Sequence, residues 1–298
     1  MGPKSSIKTS EAAYGRRQNP GQLKMRSWRL QWAFEELTSG ANFRRHRTVL
    51  KSPWKFWFAL AAKLIPRVWK HPVTLRLKKG GVFDVAEFMT LYVYKEIFVD
   101  GCYDYPVLSG EEPLIVDIGA NTGLFALRMK QLYPKSRVEC YEPFGPNYEQ
   151  LSKTLTRSGF DGCRAYKEGV GATARVEKLY VHPRNLAGHS IYSDMATSAE
   201  HVEIRLVDLR SVIDRLNGAT CSLLKLDCEG AEYEIIKSLD KNSAPLFKNI
   251  VFESTPSTYD VNELTRHLQA IGYRTGTHNG LHVARYETTE SAAPDRSL

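Results

Sequence analysis

The chain has no Cys-x-x-Cys pair, no Gly-x-Ser-x-Gly turn, no Gly-x-x-x-x-Gly-Lys loop and no apolar run long enough to cross a bilayer. The missing turns exclude serine hydrolase and P-loop NTPase chemistry. The five cysteines (Cys102, Cys140, Cys163, Cys221 and Cys228) are odd in number and scattered. That pattern gives little support to a disulfide framework or a zinc site and suits reduced thiols in a cytoplasmic protein. No His/Asp/Glu spacing indicates a bound metal. The N-terminus lacks the ordered charged, apolar and small-residue regions of a secretory signal. With 21 glycines, 14 prolines and 42% hydrophobic residues in 298, the chain is neither fibrous nor wholly disordered.

Acidic residues are scarce in one place only. Residues 1–80 carry 3 Asp/Glu against 18 Lys/Arg, and residues 81–298 carry 30 against 23, so the net +8 divides into +15 and −7. All five tryptophans (Trp28, Trp32, Trp54, Trp57 and Trp69) also fall in the basic part. This divides the chain into a basic Trp-rich extension (1–80), a main domain (81–287) and a polar tail (288–298), with residues 1–26 expected to be mobile. Residues 54–70 predict an amphipathic helix, with Trp54, Trp57, Phe58, Ala61, Leu64, Ile65 and Val68 at helical spacing and Pro66 as a kink or stop. The stripe is expected to pack on the main domain. Peripheral contact with an anionic membrane through the same residues is the alternative use.

From residue 82 short apolar runs alternate with helical stretches. Strands are expected at Leu114–Ile118, Arg137–Tyr141, Val176–Val181, Val202–Leu206, Ser222–Leu226 and Asn249–Phe252. Helices are expected near Leu124–Leu132, Pro146–Ser158, Leu209–Leu216, Ala231–Leu239 and Asn262–Ile271. Uniformly apolar strands alternating with helices imply a mostly parallel sheet covered on both faces, an α/β fold.

Two segments carry chemistry. The first is Val116-Asp117-Ile118-Gly119-Ala120-Asn121-Thr122-Gly123, a buried strand entering a glycine turn and then a helix. Gly119 and Gly123 permit a tight turn and close approach of a ligand to bare backbone. The next strand ends in Tyr141-Glu142, where a carboxylate can accept both hydroxyls of a ribose. A dinucleotide fingerprint needs a third glycine, which is missing. An acid two residues before a Gly-x-x-x-Gly turn instead fits S-adenosylmethionine, with Asp117 toward its positive portion. The second segment, Lys225-Leu226-Asp227-Cys228-Glu229-Gly230-Ala231-Glu232, delivers Asp227 and Glu229 to the same sheet edge. There they can orient or deprotonate an acceptor hydroxyl. Glu232 is expected only to complement the N-terminal dipole of the following helix.

These two motifs resemble those of the FkbM family of methyltransferases, as does Tyr180-Val181-His182-Pro183-Arg184-Asn185-Leu186-Ala187-Gly188-His189-Ser190, which is similar to that family's hairpin between the third and fourth core strands. The resemblance spans about residues 95–275. It implies a class I Rossmann-like methyltransferase fold with S-adenosylmethionine as donor, and O-methylation of natural-product or sugar hydroxyls. Carried over, Asp117, Gly119, Ala120, Asn121 and Gly123 hold the methionine part, Glu142 the ribose, and Gly169 and Val170 line the adenine. Ala172 stands where an acid or polar residue is common in the family. Asp227, Glu229 and His189 are the catalytic candidates. Two rivals remain: a nucleic-acid or protein methyltransferase docking through the basic extension, and a membrane-surface module with an inactive core. The fourth core strand lacks the Asn/Asp-Pro-Pro-aromatic element typical of many amino-group methyltransferases. The intact glycine turn and Glu142 argue against an inactive site.

Overall fold

The computed structural model describes residues 22–64, 69–181, 200–228, 230–254 and 258–287, with side chains from Trp28 onward. Residues 1–21 of the lead expected to be mobile (1–26), residues 65–68 of the expected helix, the catalytic candidates Glu229 and His189, and the polar tail (288–298) lie outside the described residues, while residues 22–26 begin a helix.

Three helices open the chain: α1 (Gln22–Thr38), α2 (Gly40–Val49) and α3 (Trp54–Leu64). A hairpin follows, with β1 (Val73–Arg76) antiparallel to β2 (Val82–Val85) across Lys79-Gly80-Gly81. Both glycines have positive φ, a conformation that side chains disfavour. Helix α4 (Phe88–Tyr94) continues into a wider turn, Lys95–Val99.

The central layer then begins with β3 (Leu114–Ile118), α5 (Leu124–Leu132) and β4 (Arg137–Tyr141). Helix α6 (Gly145–Ser158) has Pro146 in its first turn and ends at Gly159 with φ +65°, the usual proline start and glycine stop. Next come β5 (Cys163–Tyr166), β6 (Gly169–Gly171), β7 (Arg175–Tyr180), β8 (His201–Asp208) and α7 (Leu209–Arg215). The chain goes on through β9 (Leu223–Leu226), α8 (Glu232–Lys237), β10 (Asn249–Phe252), α9 (Val261–Ala270), β11 (Tyr273–His278) and β12 (Leu281–Tyr286).

Seven strands form one sheet in the order β11-β12-β10-β9-β3-β4-β5. Strands β10, β9, β3, β4 and β5 run parallel, and β12 lies antiparallel between β10 and β11. A smaller sheet has the order β6-β8-β7. Along β3 the side chains alternate between two cores, as the two-residue strand period requires. Leu114, Val116 and Ile118 pack with β9, α8 and α9 on one face, and Ile115 packs with α5 on the other. The fold is therefore the expected α/β Rossmann-like sheet flanked by helices.

The structure changes the reading of the basic segment in two respects. Its described part is no appendage: Trp32, Leu50, Phe56, Leu60, Leu75 and Leu77 share one core with Ile115, Phe125 and Leu127. The division placed between residues 80 and 81 falls inside the turn of the β1–β2 hairpin. The face assigned to α3 also needs correction. Its buried residues are Phe56, Ala59, Leu60 and Lys63, whereas Trp54 and Phe58 are exposed. Phe56 stacks on His46 with ring centroids 3.8 Å apart, and the small Ala59 beside it suits close packing of the helix. Of the expected stripe, Trp57 and Leu64 do pack against the core, so the buried face is rotated from the expected one and centred on Phe56 and Leu60. No described helix is long and apolar enough to cross a membrane.

Candidate active site

The site forms where β9, β3 and β4 end side by side. In an open parallel sheet this edge, at the point where successive connections diverge, is where ligands bind. Leaving β3, the backbone turns through three left-handed residues, Gly119 (φ +79°), Asn121 (φ +49°) and Gly123 (φ +87°). A Cβ on Gly119 would stand 1.9 Å from the carbonyl oxygen of Asp227, so the loops after β3 and β9 touch through backbone alone. A Cβ on Gly123 would stand 2.8 Å from Leu151 of α6. Gly119 N–H and Ala120 N–H both donate to the Tyr141 carbonyl at 3.0 Å, which ties the turn to the end of β4.

Glu142, one residue beyond β4, is buried beneath this turn. Its Oε2 accepts from Asn121 N–H and its Oε1 from Phe144 N–H, each at 2.9 Å. Burial pushes its carboxyl up to about 7, against the pull of these two N–H donors. Each oxygen retains acceptor capacity beyond its backbone bond. Among the described residues the Asn121 carboxamide has no hydrogen-bond partner.

Asp117 does not face the ligand edge as expected. It is fully buried below the turn, because the parallel register sets Asp117 beside Lys225 on the same side of the sheet. Lys225 Nζ lies 3.0 Å from Asp117 Oδ1 and 3.6 Å from Asp227 Oδ2, and it donates to the Gly119 carbonyl at 2.8 Å. Burial alone would lower this ammonium, but Asp117 and Asp227 outweigh it and hold Lys225 above its usual value. Apart from Lys225, no described group hydrogen-bonds either Asp117 oxygen.

Asp227 is partly open to solvent at the end of β9, and Tyr103 Oη donates to its Oδ2 at 3.4 Å. Tyr103 in turn meets the ring of Phe125 edge-on at 5.1 Å. Glu253 ends the neighbouring β10, its N–H donating to the Leu226 carbonyl. Glu232, expected only to complement the dipole of the following helix, instead reaches back before it. Its two oxygens accept from Cys228 N–H at 2.6 Å and Gly230 N–H at 2.7 Å, fastening both residues to the start of α8.

The structure thus brings together Gly119, Ala120, Asn121, Gly123, Glu142 and Asp227. Gly169 and Val170 are buried in β6, where Gly169 lies against Leu206 and Pro143. Sequence reasoning passed over Lys225 and Tyr103. The signal for Lys225 was present: a lysine inside an otherwise apolar buried strand requires a charge partner.

Sheet, glycine turn and acid define a Rossmann-like methyltransferase fold. The Methyltransferase FkbM domain matches residues 117–275, and the chain belongs to the FkbM methyltransferase family. It is 30% identical over 213 residues to methyltransferase sdnD of Sordaria araneosa, covering 61% of this chain and 82% of that protein. It is 25% identical over 210 residues to the 31-O-demethyl-FK506 methyltransferase FkbM of Streptomyces tacrolimicus, covering 60% and 80%. A crystal structure of methyltransferase FkbM from Methylobacillus flagellatus KT superposes with a TM-score of 0.45 at 17% identity, covering 67% of this chain and 54% of that one.

Proposed function

We propose that the protein transfers a methyl group from S-adenosylmethionine to a hydroxyl oxygen of a small molecule, as a cytoplasmic enzyme. The observation that carries this reading is the meeting of the Gly119–Gly123 turn, Glu142 and Asp227 on adjacent strand ends. The residues fit the donor. The turn offers bare backbone and an Asn121 carboxamide without a partner among the described residues to an amino-acid end, and the Glu142 carboxyl offers two acceptor oxygens to a ribose. When bound, the donor supplies a methyl group on a sulfonium.

The remaining roles belong to the chain. Gly119, Ala120, Asn121 and Gly123 hold the methionine end, Glu142 the ribose, and the β6 segment at Gly169 and Val170 backs the base. Asp117 acts on the site through Lys225, which fixes the Gly119 carbonyl and the Asp227 carboxylate. Asp227, with Tyr103 on its Oδ2, orients the acceptor hydroxyl for in-line attack, and most of the acceleration comes from that positioning. Glu229 and His189 stay proton-handling candidates by motif. Hydroxyl acceptors are supported by the O-demethyl substrate in the name of the Streptomyces relative. A reducing compartment is supported by five free cysteines.

Titration calorimetry with S-adenosylmethionine, coupled to a methyl-transfer assay on matched hydroxyl and amine acceptors, tests the reading. Gly119→Ala should weaken donor binding by about 100-fold or more, since its Cβ has no room. Asp227→Asn should keep donor binding and lose turnover roughly 100-fold. Donor binding undiminished in Gly119→Ala, or faster transfer to amines than to hydroxyls, overturns it.

A further inference from the structure

From Leu37 to Phe83 the sequence has no Asp or Glu and has 11 Lys/Arg. The same stretch leaves large aromatic side chains in solvent: Phe43 is 44% exposed, Trp54 63%, Phe58 43% and Trp69 40%. They form a connected set. Phe43 stacks on Trp57 at 6.0 Å, Trp54, Trp57 and Phe58 follow one another along α3, and Phe58 meets Trp69 edge-on at 5.4 Å. The set is held firmly from behind. Lys63, buried on the opposite face of α3, donates to the Trp69 and His71 carbonyls at 3.4 and 2.8 Å and so fixes the segment that presents Trp69. The same segments carry exposed cations at Arg44, Arg47, Lys51 and Lys70, and Lys55 lies over the Trp54 ring at 5.8 Å. On α1, Leu30, Phe34 and Leu37 form a second exposed apolar stripe at helical spacing. The glycine turn, Glu142 and Asp227 use none of these residues.

We propose that this aromatic, acid-free face docks the protein on an anionic phospholipid surface. Trp and Phe rings favour the headgroup level of a bilayer, where a large apolar body and a wet edge are both accommodated. Each cation near such a surface adds attraction. A second copy of the chain is a poor occupant, since it would set one basic face against another. Nucleic acid matches the charge but not the aromatic geometry: the edge-on Phe58–Trp69 pair offers no open stacking platform, and Leu30, Phe34 and Leu37 offer bases nothing.

The experiment is sedimentation of the full chain with phosphatidylcholine vesicles, with and without phosphatidylserine. The protein should pellet with the anionic vesicles only, and less so as salt rises. Trp54→Ala with Phe58→Ala and Trp69→Ala should weaken this binding roughly tenfold or more. Lys51→Ser and Lys70→Ser should each weaken it about fivefold while leaving the aromatic set intact. Equal binding to both vesicle types, or to neither, overturns the proposal. So does loss in the charge variants with full binding in the aromatic variant, which marks a general polyanion site, or tighter binding to single-stranded RNA than to vesicles. Concentration-dependent dimers that dissolve in the aromatic variant also overturn it, in favour of self-association.

Discussion

Two buried carboxylates, Asp117 and Glu36, stand in contrasting surroundings. Glu36 on α1 is fully engaged: Oε1 accepts from Asn42 Nδ2 at 2.9 Å, and Oε2 lies 3.1 Å from Nε2 of the equally buried His46. The other His46 nitrogen lies 3.3 Å from Tyr94 Oη on α4. This network gives each Glu36 oxygen and both His46 nitrogens a partner, and it ties the helical segment to the main domain. Under the glycine turn, among the described residues, Asp117 has only Lys225 and the Asn121 carboxamide has no partner, while Asp227 reaches solvent. A closed network rigidifies a fold; an open one is where a ligand can complete the bonding. Burial of charge alone therefore does not mark a site, whereas burial with spare hydrogen-bonding capacity does.

The contrast can be broken by experiment. The largest effect should come from Lys225→Met, which leaves Asp117 buried without its cation and should cost about 3–5 kcal/mol in urea denaturation. Adding Asp117→Leu should restore much of the stability but not donor binding. A single variant within ~1 kcal/mol of the parent would show that the pair is dispensable.

Next comes Glu142, whose carboxyl is raised from 4.5 to about 7 in the folded protein. The folded state holds an extra proton between those values, so this group's contribution is full below about 4.5 and is lost as pH rises through 7. Stability of the unliganded protein followed across that window should fall with pH, and Glu142→Gln should flatten the slope. An unchanged slope would place the proton elsewhere.

The smallest effect should come from His46→Leu, which strands one Glu36 oxygen and the Tyr94 hydroxyl and should cost roughly 1–2 kcal/mol. Per folded molecule, kcat/KM should not move. A drop in kcat/KM would show that the closed network reaches the site.

Much of the parallel sheet was legible because its strands are apolar on both faces: β3, β4 and β10 fall at the expected residues. The glycine turn and Glu142 were legible because a left-handed backbone and a strand-ending acid leave direct marks. The edge strand β5 was not, since Cys163–Tyr166 is half-exposed and shows no two-residue period. The β11–β12 hairpin did carry a signal in Asn279-Gly280, both at positive φ, which is a two-residue turn signature. The helix after Trp54 was read correctly as a helix and only in part as to its face: Trp57 and Leu64 pack on the core, but Trp54 and Phe58 do not. The role of Asp117 depended on register with a strand more than a hundred residues away, which no local pattern encodes.

The β1–β2 hairpin crosses the line between the basic and acidic parts of the chain, and beyond it Ser158 Oγ accepts from Val82 N–H at 3.1 Å while Gln150 donates to the Asp84 carbonyl at 2.9 Å. The two parts are thereby joined over one core, and trimming the chain to residues 117–275 would strip the cover from one face of the sheet. Because both lie on one shared core, the surface face and the glycine turn are expected to unfold together. A ligand at either one should raise the same melting temperature, and their contributions should add there without any coupling of affinity between them.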